Sequence, residues 1–275
     1  MSTRPRCLRL LRDGPASGPW NMGLDEALLR SSCAGAATLR LYMWDGPWLS
    51  LGYGQGADAL RIERCGAVGV GLVRRATGGA AVLHGADLTY AVAAPASELP
   101  ADLSGAYRLV SGALVEALRG VGVDAWPSPG SRLARVPGRP FDCFLQPAAD
   151  EICAGPLPNR KLVGSAQRRV GGAILQHGSI RLAPDPPSAV WAAGLSHRAA
   201  TSLAELGCSA DKEEEVGSRL ARALAGCLGL PLELDEASPA EREYALARMR
   251  SHASDPLALP APLGELPSRG LPAGR

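Results

Sequence analysis

The chain has 275 residues, 46% of them hydrophobic and only 4% aromatic, so it can bury a core built mostly from Ala, Val and Leu. Its net charge of +2, without a basic stripe interleaved with aromatics, argues against nucleic acid as a partner. The opening residues lack an apolar signal core, and no apolar run could span a bilayer. Seven cysteines without a C-x-x-C pair favour neither a disulfide framework nor a zinc site, and we expect a cytoplasmic protein.

The first third of the chain predicts one helix and several short strands. Residues 20–32 place apolar side chains at helical spacing, with acids early and an arginine late. The apolar runs 38–44 and 47–53 flank an Asp-Gly pair, which predicts a β-hairpin. Residues 67–84 predict a strand, a glycine turn and a second strand, and 88–95 predict a further strand that ends at a proline.

The remainder predicts a helix, a group of strands and two final helices. The first helix runs from Ser104 to Gly120, and the Pro-, Gly- and Arg-rich residues 126–140 predict a loop. Strands are predicted over 151–155, 160–169 and 172–182. A helix over about 211–228 precedes a second helix, for which Ser238 and Glu241 form a capping box.

Strands in runs followed by helices predict an α+β fold, with a mixed sheet and helices on one side of it. One domain is expected over residues 1–253. The tail, residues 254–275, carries a Pro or Gly every few positions and is predicted to be disordered.

The segment "RRATGGAAVLHG", residues 74–85, has the composition of a ligand-binding turn. Gly78 and Gly79 let a ligand approach the backbone, and Ala80 keeps the surface small. Arg74 and Arg75 are suited to a phosphate or carboxylate. The Walker spacing is absent, and a plain hairpin turn also fits the pattern.

Lys161 is unusual because only two of the 29 Lys and Arg residues are lysines. The other, Lys212, lies in a charged run. An ammonium ion is a compact charge that can polarise a single oxygen in a narrow slot, and the residues after Lys161 are small. A specific task for Lys161 and a lysine retained by chance are both compatible with the sequence.

Cys143 follows the predicted loop, where an exposed thiol is plausible. A reactive cysteine needs a cation that lowers its pKa, and Lys161 or Arg139 is a candidate. A buried structural thiol is the alternative. His84 and His177 each precede a glycine at the end of an apolar strand, where either a structural role or a role in orienting a ligand is possible.

Five fragments occur in a specific order: "NMGLDEALL", "LSLGYGQ", "RRATGGAAVLHGADLTYAV", "CF" and "KLVGSAQRRVGGAILQHGSI". Together they resemble the lipoate-protein ligase and octanoyltransferase family, closely over residues 15–185. The resemblance implies a biotin/lipoate protein ligase-like fold, related to class II synthetases, with a mainly antiparallel sheet flanked by helices. It also implies transfer of an octanoyl or lipoyl group onto one lysine of a lipoyl carrier domain.

The fragments are nearer to the cysteine-dependent octanoyltransferases than to the ATP-dependent lipoate ligases. Thr89 stands where ligases more often have Asn, and "CF" at Cys143 matches the transferase nucleophile. This sequence departs from the transferase pattern "CFxxPSxYE" at Ala148 and Asp150. It keeps the Pro and Glu of the pattern as Pro147 and Glu151. A further departure is Ala80, where transferases often carry Arg.

This resemblance implies Cys143 and Lys161 as catalytic residues. The residues implied to bind the substrate are Arg74, Arg75, Thr77, Gly78, Gly79, Ala80, His84, Gly164, Ser165, Ala166, His177 and Gly178.

The implied donor is an acyl carrier protein, and the implied acceptors are lipoyl domains of 2-oxoacid dehydrogenases or the glycine cleavage H protein. No metal or organic cofactor is implied for the transferase. The ligase alternative would require ATP and Mg²⁺. An amidotransferase acting between two carrier proteins and a non-catalytic acyl-binding homologue are further alternatives.

Overall fold

The computed structural model describes residues 7–130, 141–158, 160–209, 212–257 and 259. Its strands are β1 (Leu8–Ala16), β2 (Ala37–Trp44), β3 (Trp48–Leu51), β4 (Gly71–Arg74), β5 (Val82–His84), β6 (Asp87–Pro95), β7 (Ala125–Pro127), β8 (Ile152–Ala154), β9 (Lys161–Val170), β10 (Ala173–Arg181) and β11 (Leu232–Leu234). Its α-helices are α1 (Gly18–Ser32), α2 (Ala59–Ala67), α3 (Leu103–Gly120), α4 (Pro187–Ala192), α5 (Glu213–Leu228) and α6 (Pro239–Ser254).

The strands form a large and a small sheet. The large sheet has the order β11-β1-β2-β6-β10-β9-β8-β7, and the small sheet has the order β4-β3-β5. In the large sheet β1 pairs in parallel with β11 and β2, and the other neighbours are antiparallel. The predicted α+β class with a mixed, mainly antiparallel sheet is confirmed.

Helices cover both faces of the large sheet, so the prediction that they lie on one side is wrong. Along β6, Tyr90 and Val92 belong to the core formed with α3 and α5, whereas Ala91 and Ala93 belong to the core formed with α1 and α6. A strand that is apolar at consecutive positions, as β6 is, must be covered on both faces.

The predicted hairpin between residues 38–44 and 47–53 is also wrong. The strand β2 pairs with β1 and β6 in the large sheet, whereas β3 pairs with β4 and β5 in the small sheet. Asp45 and Gly46 therefore turn the chain from one sheet into the other. The Asp-Gly signal locates the turn, but pairing across it depends on which faces become buried.

Side-chain capping fixes where two of the helices begin. The third helix begins at Leu103 rather than Ser104, because the carboxylate of Asp102 caps it by accepting from Gly105 N. The predicted capping box of Ser238 and Glu241 is confirmed. The elements β1, α2, α4, β7 and β11 are absent from the sequence-based prediction. All but β1 are short, and β7 overlaps the start of the predicted loop, which is wrong there.

The last helix reaches one residue into the predicted tail. Ser254 is the last residue of α6, and Leu257 packs against the core of the small sheet. The rest of the predicted disordered tail lies almost entirely outside the described residues, as does most of the loop that contains Arg139. Within the described ranges, no helix has both the length and the apolar character needed to cross a membrane.

Candidate active site

A cavity of about 690 Å³ lies among the two sheets, α3 and the segment that carries Cys143. This volume falls within the range of small-molecule sites. Its wall includes all the predicted site residues except Arg74 and Thr77: Arg75, Gly78, Gly79, Ala80, His84, Cys143, Lys161, Gly164, Ser165, Ala166, His177 and Gly178. Residues from three segments far apart in the sequence, 75–84, 143 and 161–178, therefore meet at one cavity.

Much of the remaining wall is apolar or aromatic, and the sequence did not predict it. These residues are Met22, Tyr42, Trp44, Val82, Leu103 and Tyr107. They come from α1, β2, β5 and α3, so no local pattern identifies them as one surface. The wall suits a hydrocarbon chain.

Cys143 is held against the glycine turn by backbone pairing. Ala81 N donates to Phe141 O at 2.7 Å, and Cys143 N donates to Ala81 O at 3.0 Å. Cys143 is half-buried, and its Sγ lies 3.2 Å from the position that a Cβ at residue 164 would take. The glycine at 164 therefore leaves room for the thiol.

The neighbouring carboxylate of Asp142 fixes the same segment from the other side. Its Oδ1 accepts a hydrogen bond from Phe144 N, and its Oδ2 accepts from Ser196 N and His197 N, each at 2.8 Å. Just after His197, Ala200 pairs with Lys161 at the start of β9. The segment 196–200 therefore holds the backbone at both Cys143 and Lys161.

Lys161 is buried, at 1% exposure, and three acceptors surround its Nζ. These are Glu151 Oε2 at 2.7 Å, Cys143 O at 2.8 Å and Cys143 Sγ at 3.2 Å. The Phe144 ring lies 5.0 Å below the ammonium group, at cation–π distance. An ammonium ion has three donors, so this site uses all of them.

Glu151 is a site residue to which sequence analysis gave no role. In the sequence, Glu151 stands out only as a retained member of the transferase pattern. Its Oε2 accepts from both Lys161 Nζ and Ala148 N, each at 2.7 Å, and the residue is 7% exposed. The carboxylate is therefore fixed in place beside the ammonium group.

Burial keeps the resting thiol of Cys143 protonated. Burial raises the pKa of Cys143, and Glu151 adds to the rise, while Lys161 and Arg75 lower it without cancelling these effects. Lys161 thus lowers the pKa of this thiol as expected, but burial outweighs the cation and the net shift is upward. Burial lowers the pKa of Lys161, but Cys143 and Glu151 outweigh burial and hold it above the ordinary value.

Arg75 organises the glycine turn. Its Nη2 donates to Gly78 O at 2.9 Å and to Ala80 O at 2.7 Å, and its Nη1 donates to Ser50 O at 2.9 Å. Burial lowers the pKa of Arg75 to about 10. Arg75 thus supplies a buried positive charge in the cavity wall.

Arg74, predicted to bound the same channel, does not line the cavity. Its Nη1 donates to the carbonyl oxygens of Gly52, Tyr53 and Gln55, and its Nε donates to Leu257 O. Adjacent residues in an extended segment point to opposite faces, so only one arginine of the pair can face the cavity. Arg74 has a structural role.

Thr77 is the other predicted site residue that does not line the cavity, and it holds His177 in place. The Thr77 Oγ1 is 2.6 Å from His177 Nε2, and Asp25 Oδ2 is 2.8 Å from His177 Nδ1. Burial lowers the pKa of His177, so its imidazole is neutral near pH 7. Thr77 therefore orients a residue of the wall instead of forming it.

His84 is held in a comparable way. Its Nδ1 is 2.9 Å from Asp87 Oδ2, its Nε2 is 2.8 Å from Ser50 Oγ, and its ring stacks on Trp44 at 3.9 Å. Both nitrogen atoms of each histidine are occupied, which makes these rings fixed walls of the cavity.

Comparison with known proteins supports a family assignment. The family model described as the lipoyl protein ligase A/B catalytic domain matches residues 17–224. An octanoyltransferase LipM of Kyrpidia tusciae is 38% identical over 268 residues, which cover 90% of this chain and 96% of that relative. The octanoyltransferase LipM of Bacillus subtilis is also 38% identical, over 183 residues that cover 63% of this chain and 65% of the relative.

Solved structures share the fold. A lipoate-protein ligase A bound with ATP has a TM-score of 0.70 and 24% identity, covering 91% of this chain and 96% of that one. A bipartite lipoate protein ligase from Thermoplasma acidophilum, described with its E2 lipoyl domain, has a TM-score of 0.69 and 23% identity, covering 91% and 94%. The resemblance found in the sequence fragments is confirmed, and the chain belongs to the lipoyl protein ligase A/B catalytic-domain family.

Proposed function

We propose that this protein transfers an octanoyl group from the thioester of an acyl carrier protein to one lysine of a lipoyl domain, through a thioester on Cys143. The observation that carries the proposal is the 3.2 Å contact between Lys161 Nζ and Cys143 Sγ in the wall of a largely apolar cavity. The relatives named octanoyltransferase LipM support the same reaction. The acceptors we propose are lipoyl domains of 2-oxoacid dehydrogenases or the glycine cleavage H protein.

In the first half-reaction, the Cys143 thiolate attacks the carbonyl carbon of the donor thioester. A new C–S bond forms while the carbonyl π electrons move to oxygen, and Lys161 redirects to the developing oxyanion the N–H that it donates to Cys143 Sγ in the resting site. Collapse expels the thiolate of the carrier arm, which takes up the proton that Cys143 released. The product is an octanoyl thioester on Cys143.

In the second half-reaction, the neutral amine of the acceptor lysine attacks the same carbonyl carbon. The C–N bond forms, Cys143 leaves as a thiolate, and the proton lost by the amine returns to that sulfur. An amide on the carrier domain and the resting thiol result. Burial of each methylene of the chain contributes about 0.8 kcal/mol, which favours a medium-length acyl group over shorter ones.

Donor dependence separates this proposal from the ligase alternative. We expect carrier-domain modification with octanoyl acyl carrier protein in the absence of ATP. Free octanoate with ATP and Mg²⁺ should give no product. Modification that requires ATP and proceeds without acyl carrier protein would establish the ligase reaction instead, and modification from a second octanoylated carrier domain would indicate an amidotransferase.

The transferase route needs no metal or organic cofactor, and we propose a reducing compartment, the cytoplasm, for it. All seven cysteines, each within the described ranges, are free. Free thiols are typical of a reducing environment.

The raised pKa of Cys143 predicts how acylation depends on pH. The thiol must lose its proton to react, so the rate of acyl-enzyme formation should rise with pH through neutrality and continue to rise above about 8.5, the ordinary cysteine value. Lys161, Glu151 and Arg75 are the charged groups that set this pKa. Single-turnover formation of the Cys143 adduct at several pH values measures it; a plateau already reached below neutrality would contradict the prediction.

Gly164→Ala should reduce turnover by about 10- to 100-fold, because small displacements of reacting groups have effects of this size. A Cβ at this position would lie 3.2 Å from Cys143 Sγ and 3.3 Å from Lys161 Cε, so one of the two groups must move. The measurement is kcat with octanoyl acyl carrier protein as donor. Gly112→Ala, on the exposed side of α3 with open space around its Cβ, is the matched control and should keep full turnover.

A further inference from the structure

The proposed thioester on Cys143 places a reactive acyl group beside the amine of the enzyme's own Lys161. Its carbonyl carbon would be bonded directly to a sulfur that lies 3.2 Å from the Nζ of Lys161. Reacting atoms about 3–3.5 Å apart are in near-attack geometry, and the carbonyl carbon would lie one bond from this sulfur. The inference that follows rests on the proposed function, because it concerns the fate of this acyl group.

A neutral Lys161 amine would compete with the acceptor lysine. At pH 7.4 a lysine with an ordinary pKa near 10.4 is neutral for about one part in 1,000. Well-oriented intramolecular reactions reach effective molarities of about 10⁵ M or more, so the neutral fraction would act like an amine at about 100 M. No carrier domain reaches such a concentration, and an ordinary lysine here would capture the acyl group first.

The geometry around Lys161 opposes this reaction. Its Nζ lies among three acceptors: Glu151 Oε2 at 2.7 Å, Cys143 O at 2.8 Å and Cys143 Sγ at 3.2 Å. An ammonium ion satisfies all three with its three N–H groups, whereas a neutral amine has two N–H groups and a lone pair. The lone pair would have to face one of the acceptors.

We propose that Glu151 is a positioning residue that keeps Lys161 as an ammonium ion and thereby prevents transfer of the acyl group from Cys143 to Lys161. Cys143 O belongs to the neutral backbone, and Cys143 Sγ carries no charge once it is acylated. Glu151 is therefore the one acceptor of the three that remains anionic in the acyl-enzyme.

The surroundings of Glu151 fit this role. Its Oε2 is anchored by Ala148 N at 2.7 Å, so the carboxylate does not depend on Lys161 for its position. Both side chains are almost fully buried, at 9% exposure for Glu151 and 1% for Lys161, where an unpaired charge is strongly unfavourable. Glu151 raises the pKa of Lys161, and in the acyl-enzyme, where the Cys143 thiolate is absent, it is the remaining anion that does so.

The suppressed reaction is an S-to-N acyl transfer. The lone pair of Lys161 would attack the thioester carbonyl carbon, a C–N bond would form and the C–S bond would break. The amine proton would pass to the Cys143 thiolate. The resulting amide on Lys161 would remove the oxyanion donor and inactivate the enzyme permanently.

The test compares the wild-type protein with Glu151→Gln, which can still accept from Ala148 N but carries no charge. Each protein is incubated with octanoyl acyl carrier protein without acceptor, treated with hydroxylamine, and mapped by tandem mass spectrometry. Hydroxylamine removes thioesters and leaves amides. Amide on Lys161 should form at least about tenfold faster in Glu151→Gln, because each unit by which the Lys161 pKa falls raises the neutral fraction tenfold.

Matched variants distinguish loss of charge from damage to the fold. Glu151→Asp restores the carboxylate and should slow amide formation relative to Glu151→Gln. Lys161→Arg in the Glu151→Gln background should give no amide at residue 161. The chain has one other lysine, Lys212, which forms an exposed ion pair with Glu215, and equal adduct there would reveal non-specific aminolysis.

The outcomes separate this inference from the proposed function. A Cys143 thioester in both proteins, with no gain of amide on Lys161 in Glu151→Gln, overturns the role of Glu151 and leaves the transfer mechanism intact. Absence of any thioester on Cys143 in the wild-type protein overturns both. A labile thioester in the wild type and a stable Lys161 amide in Glu151→Gln is the result we expect.

Discussion

Cys143→Ala is expected to reduce octanoyl transfer by at least about 10³-fold, because removal of a covalent nucleophile leaves only binding and oxyanion stabilisation. The substitution removes one small half-buried thiol and leaves the Ala81 pairing of the backbone in place. The fold should therefore survive, and circular dichroism can verify this. The measurement is the initial rate of carrier-domain modification with octanoyl acyl carrier protein.

Cys33→Ala is the matched control, since it removes a thiol that is exposed and lies outside the cavity wall. It should retain the wild-type rate. If Cys143→Ala also retained that rate, the acyl group could not pass through Cys143, and direct transfer or adenylate chemistry would replace the mechanism given above.

Lys161→Arg is expected to lower kcat by about 10²- to 10³-fold, the usual effect of losing an oxyanion donor. The charge is kept, but a planar guanidinium does not reproduce three hydrogen bonds converging on a single nitrogen beside Gly164. Steady-state kinetics separates a fall in kcat from a change in KM. Lys161→Met, which leaves Glu151 buried and unpaired, should in addition lower the free energy of unfolding by about 3–5 kcal/mol.

Lys212→Arg makes the same chemical change at the chain's other lysine, which forms an exposed ion pair with Glu215. It should leave both kcat and stability unchanged. Equal activity of Lys161→Arg and the wild type would show that Lys161 does not stabilise the reacting carbonyl, even though it contacts Cys143.

The sequence predicted most of the candidate site because its residues are held in short local segments. The glycine turn at 78–79 and the small residues after Lys161 carry recognisable spacing, and both form part of one cavity wall. The apolar wall was not predictable in this way. Tyr42 and Leu103, for example, lie on different elements that meet only after the sheet and α3 pack together.

Errors arose where a local pattern had more than one long-range solution. The Asp45-Gly46 turn was located correctly, but its two strands enter different sheets. The arginine pair was recognised, yet strand alternation sends Arg74 to backbone carbonyls and only Arg75 to the cavity. The pKa of Cys143 also could not be inferred from the nearby cation, since burial and Glu151 oppose Lys161.

The contact between Glu151 and Lys161 is apparent only in the structure. In the sequence it is one acidic residue among 27 Asp and Glu residues, eight positions after Cys143. In the structure it touches Lys161 at 2.7 Å and lies in the wall of the same cavity. A buried carboxylate beside a functional ammonium sets the protonation state on which the proposed chemistry depends.

The central claim is that acyl transfer proceeds through a thioester on Cys143. Mass spectrometry of the intact protein and of its peptides, after incubation with octanoyl acyl carrier protein alone, tests it most directly. We predict one octanoyl group on Cys143 that hydroxylamine removes and that an added lipoyl domain discharges. Transfer to the lipoyl domain while Cys143 remains unmodified throughout turnover would contradict the mechanism.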